Sequence, residues 1–206
     1  MDHLDELAAL RQMLVAVARI QDTFFARADP RAAFDELLDE LLQLTGSEYG
    51  FIGEVHLDDS GQPYLKTQAI TNIAWNEETR AFYEQNVPFG LEFRNLESLF
   101  GQAIKTRELV ISNDPANDPR RAGVPPGHPP LLAFAGIPFL QAGRLVGMAG
   151  LANRAGGYDH ALIERLQPVF DTVRTLLLAH RAERDRAHAE AELRRAEIEN
   201  QARLRL

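Results

Sequence analysis

The sequence predicts an α+β fold, in which long helices at both ends of the chain flank a domain with an antiparallel sheet. Near both termini, apolar residues recur every three or four positions, which is the spacing of one helix face. In the middle of the chain they alternate at every second residue, as the two faces of a strand require. The strands also come in pairs with short turns between them, and such hairpins favour an antiparallel sheet over a doubly wound one.

Two helices are expected before the sheet. Residues 4–28 carry leucines and other apolar side chains at helical spacing. Asp29 is then a suitable N-cap for a second helix because its carboxylate accepts backbone N–H groups, and Pro30 suits the first helical position. Gly46 suits the left-handed conformation with which many helices end.

The first hairpin follows this second helix directly. In residues 48–57, more apolar side chains alternate with less apolar ones, so this segment predicts a strand with one buried face. Residues 59–61 have the composition of a turn, and residues 64–73 are the expected partner strand.

The rest of the sheet comes after two short helices. We expect these helices to begin after Asn76 and after Asn95, because Asn accepts hydrogen bonds from the first N–H groups of a helix. Gly136, Gly147 and Gly150 fall inside predicted strands, where glycine marks a bulge or the close approach of another element. The three remaining strands are residues 109–112, 131–140 and 144–153.

The longest irregular segment lies between the third and fourth strands. Residues 113–130 are rich in proline, glycine and aspartate, and a loop of this length in a compact domain is usually functional or disordered. One hypothesis is a lid that closes a pocket and points its polar groups inward. The alternative is a rigid surface loop whose aspartates hydrogen-bond to the backbone of the loop itself.

From Asp159 onward the spacing is helical again and follows a seven-residue repeat. Pro168 falls in the first turns, so it should kink the helix or move its start. The repeat predicts a two-stranded coiled coil at its beginning and a weaker one further along, where Arg184 and Ala187 continue the register. Because the chain stops in mid-helix at Leu206, we expect a fragment of a longer protein. The apolar part of the repeat is Ile163, Leu166, Phe170, Val173 and Leu177.

Composition excludes several functions. The formal net charge of −8 disfavours binding to phosphate backbones, so we expect no nucleic-acid partner. The absence of cysteine excludes disulfides and thiolate nucleophiles, and the six histidines lack the spacing of metal ligands. No run of ~20 apolar residues is present, and the N-terminus has acidic residues where a signal peptide has basic ones. We therefore expect a cytoplasmic protein, with no metal and no membrane contact by this fragment.

Several short segments in the middle of the chain occur in a recognisable order. They are Thr45–Glu54, Asn113–Pro115, Asp118–Arg120, Gly127–Leu131, Gly136–Phe139 and Gly143–Gly147, followed by Asn153 and Tyr158. In this order they resemble the GAF domain of bacterial sensor proteins of the histidine kinase or diguanylate cyclase type. The resemblance implies helices on one face of a central sheet and, on the other face, loops that cover a small-molecule pocket.

The resemblance also implies a division into three parts. Residues 1–28 would be an N-terminal helix for dimerisation and signalling, and residues 29–158 the sensor domain. Residues 159–206 would be a coiled-coil-like helix that leads to a C-terminal output domain.

The resemblance also limits the ligand. Family members that attach a bilin or reduce methionine sulfoxide need cysteine, which this chain lacks, and the motif of the cyclic-nucleotide-binding members is also absent. The remaining possibilities are another small ligand, haem, or no ligand at all, and we assign no cofactor.

Six residues are candidates for contact with a ligand. His128 is held between Gly127 and Pro129, so its imidazole could donate to a ligand or merely bond to a loop carbonyl. Arg120 beside Asp118 could hold an anion bidentately, or the two could form an internal salt bridge. Phe134 and Trp75 could line an apolar cavity or belong to the core. The set is His128, Arg120, Asp114, Asp118, Phe134 and Trp75.

These observations leave three functional hypotheses. The first is a small-molecule-sensing regulatory domain that passes ligand occupancy through dimeric helices to the output domain. The second is a ligand-free module for dimerisation. The third is an enzyme, and it lacks support because the sequence has no cysteine, no Gly-x-Ser-x-Gly motif and no phosphate-binding loop.

Overall fold

The computed structural model describes residues 3–26, 30–71, 90–121 and 128–203. The helices in these ranges are α1 (His3–Ala26), α2 (Pro30–Thr45), α3 (Leu99–Thr106), α4 (His160–Arg165) and α5 (Gln167–Arg203). The strands are β1 (Tyr49–Leu57), β2 (Pro63–Ile70), β3 (Glu92–Phe93), β4 (Val110–Ser112), β5 (Phe134–Gln141) and β6 (Arg144–Ala152). Trp75 and the helix expected after Asn76 lie outside the described residues.

The six strands form one antiparallel sheet in the order β3-β2-β1-β6-β5-β4. Strands β1 and β2 form one hairpin and β5 and β6 another, so the predicted α+β class with an antiparallel sheet is confirmed. The turn between β5 and β6 uses left-handed backbone at Ala142 and Gly143, with φ of 49° and 75°. Strands β1 and β6 lie side by side at the centre of the sheet.

Helices α1, α2 and α5 cover one face of the sheet, which we call the helix face. Ile52 of β1, Ile137 of β5 and Leu151 of β6 project into this layer and are buried there. They form one core cluster with Phe34 of α2 and Phe170 of α5. Helix α1 packs on α2 and α5. The expected layer of helices on one face is therefore present.

The apolar seven-residue repeat near the start of the last helix packs into the domain's own core. Its five members are at most 6% exposed and belong to the cluster of the helix face. They cannot also form the seam of a coiled coil, so the prediction of a coiled coil at this point was wrong. An apolar stripe of this spacing buries equally well against a sheet, and spacing alone does not distinguish the two. The five residues are Ile163, Leu166, Phe170, Val173 and Leu177.

Pro168 sets where the long helix begins. The short helix α4 ends at Arg165 and α5 begins at Gln167, so the proline occupies the first turn of α5. There it needs no hydrogen-bond partner for a backbone N–H group. We expected Pro168 either to kink the helix or to move its start, and in the structure it marks a shifted start.

The opposite face of the sheet, which we call the second face, is packed against α3. This helix begins one turn later than Asn95 implied. Ser98 is its N-cap, and the Ser98 hydroxyl accepts the backbone N–H of Gly101 at 3.1 Å. Asn95 instead accepts the N–H of Glu97 at 3.0 Å, in a turn that precedes the helix.

Helix α5 approaches the sheet very closely at Gly147 of β6. A Cβ atom at this position would lie 2.4 Å from Cδ2 of Leu177 and 2.5 Å from the carbonyl oxygen of Gly53. No methyl group fits at these distances, so glycine is what allows the helix to pack directly on the backbone of the sheet.

Glu54 of β1 is a buried carboxylate on the helix face, with its side chain 1% exposed. Arg184 of α5 donates to both of its oxygens, at 2.9 and 3.1 Å. Nε of Arg181 and Nε2 of His56 each lie 3.4 Å from a Glu54 oxygen, and Gln68 donates to Oε2 at 3.3 Å. We call these five residues the Glu54 cluster.

The cluster holds Glu54 in its ionised form. Burial by itself raises the pKa of this carboxyl, but the contacts with His56 and the hydrogen bonds from Arg184 outweigh burial and lower the pKa from 4.5 to about 2. The folded state therefore binds this proton more weakly than the unfolded state does. Its contribution to stability is complete above about pH 4.5 and is lost as the pH falls towards 2.

We predict that Glu54→Gln removes a defined part of the acid sensitivity of the protein. Between about pH 4.5 and pH 2, the wild type should lose on the order of 3 kcal/mol of unfolding free energy that the variant does not lose. Urea unfolding at a series of pH values measures this difference. Equal pH dependence of the two proteins would contradict the ionised state of Glu54.

Candidate functional site

The candidate site lies where β1 begins and β6 ends, on the second face. Tyr49 of β1 pairs with Ala152 of β6, which pairs with Phe134 of β5, so the three side chains form one row across the sheet. The neighbouring row consists of Phe51, Gly150 and Gly136. Both described flanks of the loop predicted as a lid, residues 113–121 and 128–130, come to this end of the sheet.

The first flank of the loop is fixed by Asn113. Its side-chain amide donates to the carbonyl oxygen of Tyr158 at 2.9 Å and accepts the N–H of the same residue at 2.8 Å. A Cβ atom at Gly157 would lie 2.5 Å from this amide, and Gly157 also has a φ of 79°. Glycine therefore permits the close approach through which Asn113 ties the loop to the segment before α4.

The second flank is fixed by Asn153, directly after β6. Its side-chain oxygen accepts the N–H of Leu132 at 2.8 Å, and its amide nitrogen donates to the carbonyl oxygen of Pro130 and to Glu48, each at 3.0 Å. Asn153 has a φ of 60°, in the left-handed region that asparagine tolerates better than most residues. One buried amide at the end of β6 thus joins the loop to the residue that precedes β1.

Asp118 and Arg120 form an ion pair within the loop. Arg120 donates from Nε and Nη2 to the two carboxylate oxygens at 2.9 and 2.7 Å, and Nη2 also donates to the carbonyl oxygen of Ile111 at 2.9 Å. The hydrogen bonds from Arg120 hold the pKa of Asp118 well below its usual range. In this arrangement the guanidinium fixes the loop against β4.

Asp114 is exposed and accepts a hydrogen bond from the side-chain amide of Asn117 at 2.8 Å. The carbonyl oxygen of Asp114 also accepts the N–H of Asn117 at 3.1 Å. These contacts close a turn of the loop and leave Asp114 exposed to solvent.

His128 lies against the row and is half-buried. Its Nδ1 is 2.7 Å from the carbonyl oxygen of Pro129, and its ring meets the ring of Tyr49 edge-on with 6.1 Å between centroids. The Tyr49 hydroxyl donates to the carbonyl oxygen of Pro130 at 2.9 Å. Burial raises the pKa of Tyr49 to about 12, so this hydroxyl remains a donor across the physiological range.

The centre of the second face is apolar and aromatic. Phe51 stands edge-on to Phe93 and to Phe100, with ring centroids 5.7 and 6.4 Å apart. A Cβ atom at Gly150 would lie 2.3 Å from the Phe51 ring, so the glycine leaves the space that this ring occupies. The ring packs in one cluster with Phe134, which is 6% exposed.

The structure separates the predicted site residues into two groups. His128 and Phe134 lie on the second face beside Tyr49, whereas Arg120, Asp118 and Asp114 make contacts within the loop. Trp75 is outside the described residues. Sequence reasoning did not identify Asn113 and Asn153 as the residues that fix the loop. Asn113 directly follows a predicted strand and Asn153 ends one, and at such positions an asparagine side chain often bonds to a loop backbone.

Two cavities that the described residues outline lie away from the second face. One, of about 400 Å³, is at the tip of the first hairpin between Asp58, Tyr64 and Arg94. The other, of about 250 Å³, lies between α1 and α2 beside Ile20 and Leu37.

The described ranges contain no group of three acidic or histidine side chains that could hold a metal ion. None of their helices has the length and apolar content needed to cross a bilayer.

Comparison with known proteins gives one family and one related sensor. Residues 27–177 match the profile of the GAF domain family. A methyl sulfide methyltransferase-associated sensor of Methanosarcina acetivorans is 28% identical over 167 residues, which cover 79% of this chain and 14% of that protein. The chain thus spans about a seventh of the length of this relative.

Solved structures with the same fold come from proteins of different activity. The GAF domains of the phosphoenolpyruvate-protein phosphotransferases of Coxiella burnetii and Acinetobacter superpose with TM-scores of 0.64 and 0.62 at 18% and 15% identity. They cover 86% and 84% of this chain, and 96% and 98% of those chains. A free methionine-R-sulfoxide reductase of Neisseria meningitidis superposes with a TM-score of 0.58 at 13% identity, over 82% of this chain and 89% of the reductase. At these identities the likeness concerns the fold alone.

We predict that Asn153→Ala destabilises the domain by about 2–4 kcal/mol, because it removes several buried hydrogen bonds and places alanine in left-handed backbone. Asn153→Gly is the matched control, since it removes the same bonds without the backbone strain and should lose less. Midpoints of urea unfolding measure both effects. An alanine variant as stable as the wild type would contradict the role of Asn153.

Proposed function

Since the chain belongs to the GAF domain family, we propose that it is a regulatory domain that senses a small molecule at the second face and passes its occupancy to an output domain through α5. The observation that carries this proposal is the position of α5. The helix is part of the domain core up to Leu177, whereas every residue from 182 to 201 is exposed. A change in the core therefore reaches a segment that extends about 30 Å beyond it.

The relatives support a regulatory role. GAF domains are generally regulatory, and the related Methanosarcina protein is described as a sensor. This chain corresponds to about a seventh of that sensor, so the comparison does not itself identify an output domain for this chain. The presence of an output domain is therefore part of the proposal. A histidine kinase or a diguanylate cyclase is the output domain that the sequence resemblance favours.

We also propose that the domain is not itself an enzyme and acts in the cytoplasm. One structural neighbour is a methionine sulfoxide reductase, but this chain has no cysteine for thiol chemistry. The absence of cysteine supports a cytoplasmic location, because proteins of oxidising compartments commonly carry disulfides.

The second candidate function is a ligand-free dimerisation module. One observation favours it: the described part of the second face is filled by Phe51, Phe93, Phe100 and Phe134, and the two cavities described above lie elsewhere. A domain of this kind would use the sheet only as a support for its terminal helices.

The two functions differ in what the purified protein retains. We predict that native mass spectrometry detects a small molecule in addition to the protein mass, and that His128→Ala weakens its binding about tenfold or more by removing a polar contact. His188→Ala is the matched control because His188 is exposed on the far part of α5. A protein that retains no molecule, and binds none in a metabolite screen, would support the dimerisation module instead.

We further propose that the chain forms a homodimer through its terminal helices. In the described residues, four of the six exposed large apolar side chains lie on these helices. They are Leu14 and Val15 on α1, which are 62% and 55% exposed, and Leu193 and Ile198 on α5. Large apolar side chains left exposed on the same two helices favour a contact between protomers at these helices.

We predict that Leu14→Glu combined with Val15→Glu converts the dimer to monomers, because each change exchanges a buried apolar contact of about 1.5–3 kcal/mol for a buried charge. Leu57→Glu is the control, since Leu57 is 69% exposed at the end of β1. Light scattering after size-exclusion chromatography measures the masses. A dimer that persists in the double variant would place the interface elsewhere.

A further inference from the structure

We infer that the Glu54 cluster fixes the point at which α5 leaves the sheet, and that strand β1 thereby links this point to the second face. The geometry of the cluster does not depend on the proposed sensing function. Its use in signalling does rest on that function.

Apolar packing holds only the first part of α5. In the described residues, the last side chain of α5 that is both apolar and fully buried is Leu177. Beyond it, the His180 ring meets Phe34 of α2 at 5.5 Å, and Arg181 and Arg184 reach Glu54. The last docked turns of the helix thus depend on the contact of His180 with Phe34 and on polar contacts with a single carboxylate.

Strand β1 connects the cluster with the second face. Successive side chains of a strand point to opposite faces, so Phe51 and Val55 project to the second face while Ile52 and Glu54 project to the helices. Phe51 stands at the centre of the aromatic group with Phe93 and Phe100. A displacement of β1 that repositions Phe51 therefore also repositions Glu54.

The energetics of the cluster couple the position of α5 to that of β1. The Glu54 side chain is 1% exposed, whereas those of Arg181 and Arg184 are 41% exposed. On release the two guanidinium groups gain water, and the carboxylate loses its partners in a buried place. A carboxylate left buried without its partners is strongly destabilised, so a displacement of β1 that moves Glu54 must carry the end of α5 with it.

Hydrogen exchange of the intact chain tests the first part of the inference. In Arg184→Gln, the amides of residues 178–190 should exchange on the order of tenfold faster, while those of residues 166–176 are unchanged. Glu54→Gln is nearly isosteric and should give the same pattern from the other side of the contact. Arg186→Gln is the matched control, because Arg186 is 67% exposed and pairs with Glu183 on the same helix.

Unchanged exchange of residues 178–190 in both Arg184→Gln and Glu54→Gln would overturn the inference. Faster exchange spread equally over residues 166–190 would also overturn it, since the cluster would then stabilise the whole helix and not its exit.

A second comparison tests the link through β1. Phe51→Leu should increase exchange of residues 178–190 relative to residues 166–176, and it should add nothing further in the Arg184→Gln background. Phe100→Leu removes a ring from the same aromatic group but lies on α3, so it should leave the end of α5 unchanged. If Phe51→Leu has no effect on residues 178–190, or if its effect adds fully to that of Arg184→Gln, the link is absent.

These results are independent of any ligand. A protein that retains no small molecule in native mass spectrometry would remove the proposed sensing function and leave the exchange results intact. Failure of the inference is recognised by the exchange pattern alone.

Discussion

Helix α5 can lie flat on the centre of the sheet because Gly147 has no side chain. Leu177 occupies the space that a Cβ atom would fill, so the helix backbone stays close to β6 and β1. Gly147 is the cross-strand partner of Glu54, which places the closest apolar contact and the buried carboxylate side by side. A side chain at position 147 would lift the helix and leave Glu54 as a buried charge without its arginine. Breaking a buried pair in this way typically costs about 3–5 kcal/mol. The charge can therefore be buried only because the glycine permits the close approach.

The second face follows a similar principle with different residues. Gly150 leaves room for the ring of Phe51, and this ring joins an aromatic group that α3 completes. Asn113 and Asn153 hold both flanks of the long loop to the same end of the sheet. Because the flanks are fixed by these two amides, their positions do not depend on what the middle of the loop contacts. This leaves His128 and Tyr49 at a fixed place beside an apolar surface, which is the combination of polar and apolar groups found in small-molecule sites.

The sequence was sufficient to predict the class of fold and the order of most elements, because the two apolar periods differ clearly between the ends and the middle of the chain. It did not determine what the apolar stripe of α5 packs against. Ile163 and Val173 have the same spacing whether their partner is a sheet or a second helix, and only the position of the sheet decides. The start of α3 was misplaced because Asn95 and Ser98 are both good caps three residues apart. For the site, the pairing of Asp118 with Arg120 was among the alternatives, but the bond from Arg120 to Ile111 depends on a tertiary contact that no spacing reveals.

A buried ion pair at the exit of α5 needs an explanation other than stability. Replacing such a pair with apolar residues of similar volume is often neutral or stabilising, so the Glu54 cluster is not the simplest way to hold a helix on a sheet. An apolar contact would, however, tolerate sliding of the helix by part of a turn, whereas two parallel hydrogen bonds between Arg184 and Glu54 are satisfied in only one position. The cluster thus specifies where the exposed part of α5 begins and in which direction its side chains point. A passive support for dimerisation would gain little from this precision, while a helix that transmits a displacement of β1 requires it.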